Sequence, residues 1–269
     1  MNPASTPLLP VPLPQTGSPL RRMRIQLGTW VAIEASAPSQ AVAGAAIDAA
    51  FAAVDQVAAL LSPERAGSDL QRVNGADCGV TVGIHEHTYR LLCFAQRLNR
   101  LSDGIFDPCL PHRPGTVRDL ELHANPLPAA VCGAPLQLDC GGFAKGFAVD
   151  QAVAALRGAG CEWGLVNAGG DVRVFGRAQT VFVRAAGGSA RALELADGAV
   201  AVSDLDAPRA PSGHRGYYRR GNAAPGARRF AAVRARDAMT ADALTKCVLL
   251  CPGATVQALL KEFGGECLA

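Results

Sequence analysis

One stretch limits what this chain can become: Leu138 to Gly176, LDCGGFAKGFAVDQAVAALRGAGCEWGLVNAGGDVRVFG. A short strand-like run, Leu136 to Leu138, meets Asp139, Cys140 and the pair Gly141-Gly142. A helical pattern starts near Ala144 and runs to about Arg157, where Gly158 and Gly160 stop it. Gly164 to Asn167 reads as a second strand, Ala168-Gly169-Gly170-Asp171 as a tight turn, and Val172 to Phe175 as a third strand. Glycines have no Cβ, so the backbone N–H groups of both turns can approach a ligand closely. The helix N-terminus after Gly142 favours an anion, and Lys145 sits in its first turn. Such a unit is a cradle for a phosphate or pyrophosphate. The plain alternative is turn chemistry with no ligand. The spacing is neither G-x-x-x-x-G-K-[ST] nor G-x-G-x-x-G, which excludes the P-loop and Rossmann sites. Asp139 and Asp171 stand at the two turns, placed to orient the loops or to bind polar ligand groups.

The remaining pattern mixes helices and strands without a strict βαβ alternation, which predicts an α+β fold with mixed or antiparallel sheets flanked by helices. Met1 to Arg22 reads as a disordered Pro/Ser/Thr-rich tail, and Met23 to Ala35 as one strand. Ser39 caps a long helix with an apolar seam of Ile47, Phe51, Val54, Ala58 and Leu61, ended by Ser62-Pro63. Ser68 to Val73 is a short helix ending at Asn74. Val80 to Ile84 is strand-like, and Glu86 to Leu101 is a helix burying Leu91, Leu92, Ala95 and Leu98. Between Cys109 and Pro135 the pattern is weak, with one helical turn over Asp119 to Leu122. Val181 to Arg184, Ala192 to Leu195 and Ala199 to Ser203 read as strands, followed by a polar loop from Asp204 to Ala227. Phe230 to Arg236 is a strand. A helix then opens at Asp237 or Thr240 and runs to about Leu250, and Val256 to Phe263 forms a last helix.

With 269 residues, 49% of them hydrophobic, the chain can bury one large domain or two merged lobes; residues 23 to 269 read as one unit. A net charge of +3 and no basic stripe with interleaved aromatics argue against nucleic acid. Nine cysteines form no C-x-x-C pair, and Cys247 and Cys251, at helical spacing, have no His nearby to complete a metal site. They read as small, buried, reduced side chains. Met1 to Pro19 lacks a basic start and an apolar run, no stretch reads as a membrane span, and the expected location is cytoplasmic.

The central stretch and four further ones, in order, carry a family resemblance. LDCGGFAKGFAVD and LVNAGGDVRVFG resemble the signature of the FAD:protein FMN transferases, the ApbE-like family, which reads D-x-G-[GA]-x-A-K-G-[YF]-x-V-D and then V-N-x-G-G-D-[IV]. LGTW (Leu27 to Trp30), SPERAGSDLQRVN (Ser62 to Asn74), SDGIFDP (Ser102 to Pro108) and TADALTK (Thr240 to Lys246) resemble its other motifs in order. The resemblance implies an ApbE-like fold of two merged lobes. It implies FAD as substrate, Mg²⁺ as cofactor, and transfer of FMN to a Thr hydroxyl of an acceptor flavoprotein with release of AMP. The alternative it leaves open is a flavin-nucleotide-binding protein or scaffold that has lost the activity.

The same resemblance assigns residues. Lys145 and Asp242 would be catalytic. Asn74, Asp139, Gly141, Gly142, Lys145, Asn167, Gly169, Gly170, Asp171 and Ser203 would shape or contact the nucleotide site. Asp242, a Thr one turn later and the Gly142 carbonyl would hold the metal. In this chain the position one turn after Asp242 is Lys246, and Thr245 falls about 100° around the helix. Lys246 therefore replaces the metal, neutralises a pyrophosphate directly, or forms a plain i,i+4 salt bridge with Asp242. Two more departures stand out. Ala201-Val202-Ser203-Asp204 replaces an A-T-S-G segment, and only His214 and Pro225-Gly226 remain of an H-x-[IV]-[DN]-P-x-T-G segment.

Overall fold

The computed structural model describes residues 18–185, 189–206 and 228–268. His214, Pro225-Gly226 and most of the predicted tail and polar loop lie outside the described residues. A seven-stranded sheet organises the fold, in the order β1 (Leu20–Gln26), β2 (Thr29–Ser36), β6 (Trp163–Ala168), β7 (Asp171–Phe175), β10 (Gly198–Asp204), β11 (Phe230–Ala235) and β12 (Glu266–Cys267). Every pair in it is antiparallel. The fold class read from the sequence is the one observed.

The single strand predicted for Met23 to Ala35 is two strands. Leu27 (φ 53°) and Gly28 (φ 69°) form a tight turn that pairs Gln26 with Thr29. Such hairpin turns need positive φ at the corner, which Gly28 supplies without strain. β1 also starts inside the stretch predicted as tail.

Helices cover one face of the sheet. α1 (Gln40–Leu61) begins where the Ser39 hydroxyl accepts the Val42 N–H at 3.2 Å. Its buried seam includes Ile47, Phe51, Val54 and Leu61, with Val57 added. This helix is 22 residues long, with a mean hydropathy of 1.5 in its most apolar window, so by length and composition it could cross a membrane. That corrects the sequence reading of no such stretch, although nine α1 residues are buried inside the protein. α4 (Ala144–Gly158) packs against α1, and α5 (Ala238–Leu250) against α4, both over the sheet. α6 (Gly253–Phe263) follows Pro252 and packs on α5.

Between α1 and α4 the chain forms α2 (Asp69–Asn74), β3 (Thr81–Gly83), α3 (Glu86–Leu101), β4 (Leu120–His123) and β5 (Ala129–Cys132). β3, β5 and β4 make a small antiparallel sheet. The helical turn expected over Asp119 to Leu122 is a 3₁₀ turn at Val117–Asp119 followed by β4. Thr116 and Asp119 close that turn reciprocally, as in a capping box. Leu136 to Leu138 makes only a single bridge, Cys109 to Leu138. On the sheet's other face, β8 (Gln179–Arg184) and β9 (Ala190–Leu195) form a ribbon covering Val172, Val174 and Val200.

Candidate functional site

β7 alternates strictly. Val172 and Val174 point to the ribbon side, while Asp171, Arg173 and Phe175 face the helices. The two charged residues meet α4 in register. Lys145 Nζ pairs with Asp171 Oδ2, and Arg173 Nη1 reaches Asp150 Oδ1 at 2.6 Å. The pairs have opposite polarity, so sliding α4 along the strand would bring like charges together.

The β6–β7 corner positions Asp171. Ala168 pairs with Asp171, leaving Gly169 (φ 61°) and Gly170 (φ 103°) as a two-residue turn that only glycine fills easily. Asn167 Oδ1 accepts the Gly170 N–H at 3.0 Å. Gly169 also lets Thr29 of β2 close in, since a Cβ there would lie 2.7 Å from the Thr29 hydroxyl. The first and second sheet corners are thereby packed on each other.

Asp150 fixes the third element. Its carboxylate accepts the backbone N–H groups of Ala238 and Met239, each at 2.9 Å, at the start of α5. Sequence reasoning passed over Asp150 and Arg173. The available signal was an acid placed mid-helix, in the V-D that ends the first motif. Burial pushes the Asp150 carboxyl up to about 6, against the pull of Arg173 and with a further push from Asp237. Between the ordinary aspartate value of 3.8 and that level, the folded protein holds a proton that the unfolded chain has lost. Asp150 therefore contributes stability that is complete below the lower value and lost as pH rises through the upper one. Melting temperatures of wild type and Asp150→Asn, measured from about pH 4 to about pH 7, should show a downward slope in wild type that flattens in the variant. Equal slopes would contradict this reading.

α5 carries the centre of the site. Asp242 is wholly buried, and its Oδ2 accepts the Gly146 N–H at 3.1 Å and lies 3.9 Å from Lys145 Nζ. Its Oδ1 holds the Lys246 ammonium one helical turn on. The result is a chain of alternating charges, Lys246–Asp242–Lys145–Asp171, at the junction of α4, α5 and β7. Burial works against the charge of Lys145, but Asp171 and Asp242 more than offset it and hold its ammonium above the usual lysine range. Burial likewise opposes charge on Asp242, and the two lysines with the Gly146 N–H win, keeping that carboxyl low. Asp171 is pushed up to about 6 by burial and by Asp242, against Lys145. It is the member of the cluster that takes a proton most readily.

Only Lys145 connects this cluster to open space. Its side chain is 32% exposed, against 5% for Lys246. It lines a cleft of about 500 Å³ with Leu27, Val57, Ala58 and Leu61 on the apolar side, and Arg65, Asp139, Gly141 and Ala144 nearby. Asp139 Oδ1 accepts the Gly141 N–H at 2.8 Å and shapes the turn. Gly142 is buried beneath it, and Phe143, at the helix N-cap, offers no capping side chain. The Ala144 N–H donates to the Cys140 carbonyl at 2.9 Å and the Gly146 N–H to Asp242, so α4 adds to the cleft wall Ala144 and the cation of Lys145.

Other named residues sit elsewhere. The Asn74 amide exchanges two hydrogen bonds with the Leu138 backbone, at 3.0 and 2.7 Å, and so ties α2 to the strand entering the first glycine turn. Ser203 Oγ meets Thr245 Oγ1 at 2.7 Å. Asp204 lies 3.5 Å from Arg184 and accepts the Asp206 N–H.

A model of the ApbE family matches residues 27–113 and 112–269. The chain belongs to the ApbE family. The solved ApbE structures share its fold. The apo flavinyl transferase ApbE of Pseudomonas stutzeri is 19% identical with a TM-score of 0.73, over 94% of this chain and 90% of that one. The ApbE protein of Thermotoga maritima is 23% identical with a TM-score of 0.73, over 92% and 91%. The flavin transferase ApbE of Vibrio cholerae is 19% identical with a TM-score of 0.73, over 93% and 92%. Among curated proteins no sequence matches at a significant level.

The ApbE resemblance implied Mg²⁺, which wants several oxygen ligands in a regular shell. In this ApbE chain both oxygens of Asp242 are engaged by donors. The Thr245 hydroxyl donates to the Asp242 carbonyl at 2.6 Å, inside its own helix. Among the described residues, no group of three His, Cys, Asp or Glu side chains could hold a metal. The residues present do not fit Mg²⁺.

Proposed function

We propose that this ApbE-family protein is a flavin transferase that moves FMN from FAD to a Thr hydroxyl of an acceptor flavoprotein. The observation that carries the reading is Lys145, a lysine held charged by two buried carboxylates yet presented to a cleft beside the Asp139–Gly141 turn. Family membership supports it, as do two of the solved relatives, a flavinyl transferase and a flavin transferase.

The chemistry is a phosphoryl-type transfer. The Thr Oγ bonds to the FMN phosphorus, and the bond from that phosphorus to the bridging oxygen breaks. AMP leaves with the electron pair, and the Thr proton passes to solvent or to a base on the acceptor. Such transfers depend mainly on positioning and on neutralising charge on the phosphoryl oxygens. Lys145 supplies positive charge at the cleft wall. Asp171 and Asp242 hold that ammonium in place. The apolar wall of Leu27, Val57, Ala58 and Leu61 offers a surface for a flavin ring.

The test is incubation with FAD and a candidate acceptor, read by mass spectrometry. An FMN-sized adduct on a Thr is expected, and Lys145→Met should weaken FAD binding about tenfold, or about 1.4 kcal/mol. Unchanged FAD affinity in Lys145→Met would contradict the assignment. One observation favours a second reading: the sequestered Asp242 also suits a flavin-nucleotide-binding protein without transferase activity. FAD binding with no adduct on any acceptor would select it.

A further inference from the structure

We propose that Lys246 is a tethered cation occupying the place at Asp242 that a divalent metal would need, so that a pyrophosphate ligand binds in the cleft without metal. This rests on the reading of the cleft as a flavin dinucleotide site, and it adds how the charge there is supplied.

The geometry points this way in three respects. Asp242 precedes Lys246 by four residues on α5, the orientation that brings carboxylate and ammonium together on one helix face. Both side chains are buried, so a metal binding Asp242 would have to displace an ammonium that is itself only 5% exposed. The other carboxylate oxygen is held from the α4 side by Gly146 and Lys145. Thr245 does not complete a ligand set, because its hydroxyl is turned onto its own helix and onto Ser203.

Charge counting agrees. Among the described residues, the two ammonium groups and two carboxylates of the cluster balance in charge. A divalent ion added at Asp242 would bring two further positive charges to the buried side of that cluster, which is costly. An anionic ligand instead meets Lys145 at the cleft, while Lys246 keeps Asp242 neutralised behind it. Lys246 is thus a positioning residue: it acts on the ligand through Asp242 and Lys145.

Two measurements test this. Wild-type protein is titrated with FAD by calorimetry in EDTA and in millimolar MgCl₂. The affinities should agree within about twofold, whereas binding at least tenfold weaker in EDTA would overturn the proposal. Separately, melting temperatures of wild type and Lys246→Thr are taken without FAD, with and without MgCl₂. The variant should gain a Mg²⁺-dependent rise that wild type lacks, because removing the ammonium exposes Asp242 to a competing cation. A Mg²⁺-dependent rise in wild type would overturn the proposal. If wild type binds FAD under neither condition, the flavin reading fails while the melting comparison still decides the place of Lys246.

Discussion

Asp242→Ala should lower the unfolding free energy by about 3–5 kcal/mol, the range for removing one partner of a buried ion pair. The reason is what remains. Lys246 would keep its charge at a position only 5% exposed, and the Gly146 N–H would lose its acceptor. Lys145 would lose one of the two carboxylates that hold it. Urea denaturation at neutral pH measures this directly. Replacing both members of the pair, Asp242→Leu with Lys246→Met, should recover most of the loss, because the desolvation penalty goes with the charges. A single Asp242→Ala variant within about 1 kcal/mol of wild type would show that the cluster is hydrated and not buried.

Gly146→Ala should cost about 3 kcal/mol despite improving helix propensity. Glycine inside a helix is worse than alanine by about 1 kcal/mol, so propensity alone predicts a gain. Packing reverses the sign. A Cβ at position 146 would overlap the Ala238 carbonyl and lie 2.9 Å from the Asp242 Cβ. Those atoms belong to the backbone and first turns of α5, which cannot rotate aside, so the two helices must separate. The separation also breaks the hydrogen bond from Gly146 to Asp242 and moves Lys145 relative to Asp171. Thermal melting and FAD titration of the variant should therefore worsen together. A stability equal to or above wild type would mean that α4 and α5 slide apart easily, and the close packing inferred at Gly146 would be wrong.

The charge cluster was only partly legible in the chain. Lys145, Asp171, Asp242 and Lys246 all stand in recognisable motifs, and the i,i+4 spacing of the last two is a local property of a helix. Asp171 read as orienting its loop or binding a polar ligand group, because nothing local says that its side chain faces a lysine 26 residues earlier. Asn74 read equally well as a ligand contact, whereas its amide is spent on the backbone of Leu138, 64 residues away. The split of Met23 to Ala35 into two strands turned on one glycine, Gly28. Of the small sheet, Val80 to Ile84 anticipated β3, whereas β4 and β5 were missed because each is four residues long and Pro126 and Pro128 crowd the segment between them. β12, two residues long, carries no periodicity at all.

What the sequence by itself determined is local: which segments are helix or strand, where glycines force corners, and that Lys246 shares a helix face with Asp242. These follow from residue-by-residue conformational preference and from periods of two and 3.6. What only the tertiary structure decided is which distant charges meet. The register of α4 on β7, set by Asp150 with Arg173 and Lys145 with Asp171, leaves Lys145 as the cluster's opening to the cleft and seals Lys246 inside. Burial is a property of the packed layers, and it is burial that turns four ordinary side chains into one coupled site.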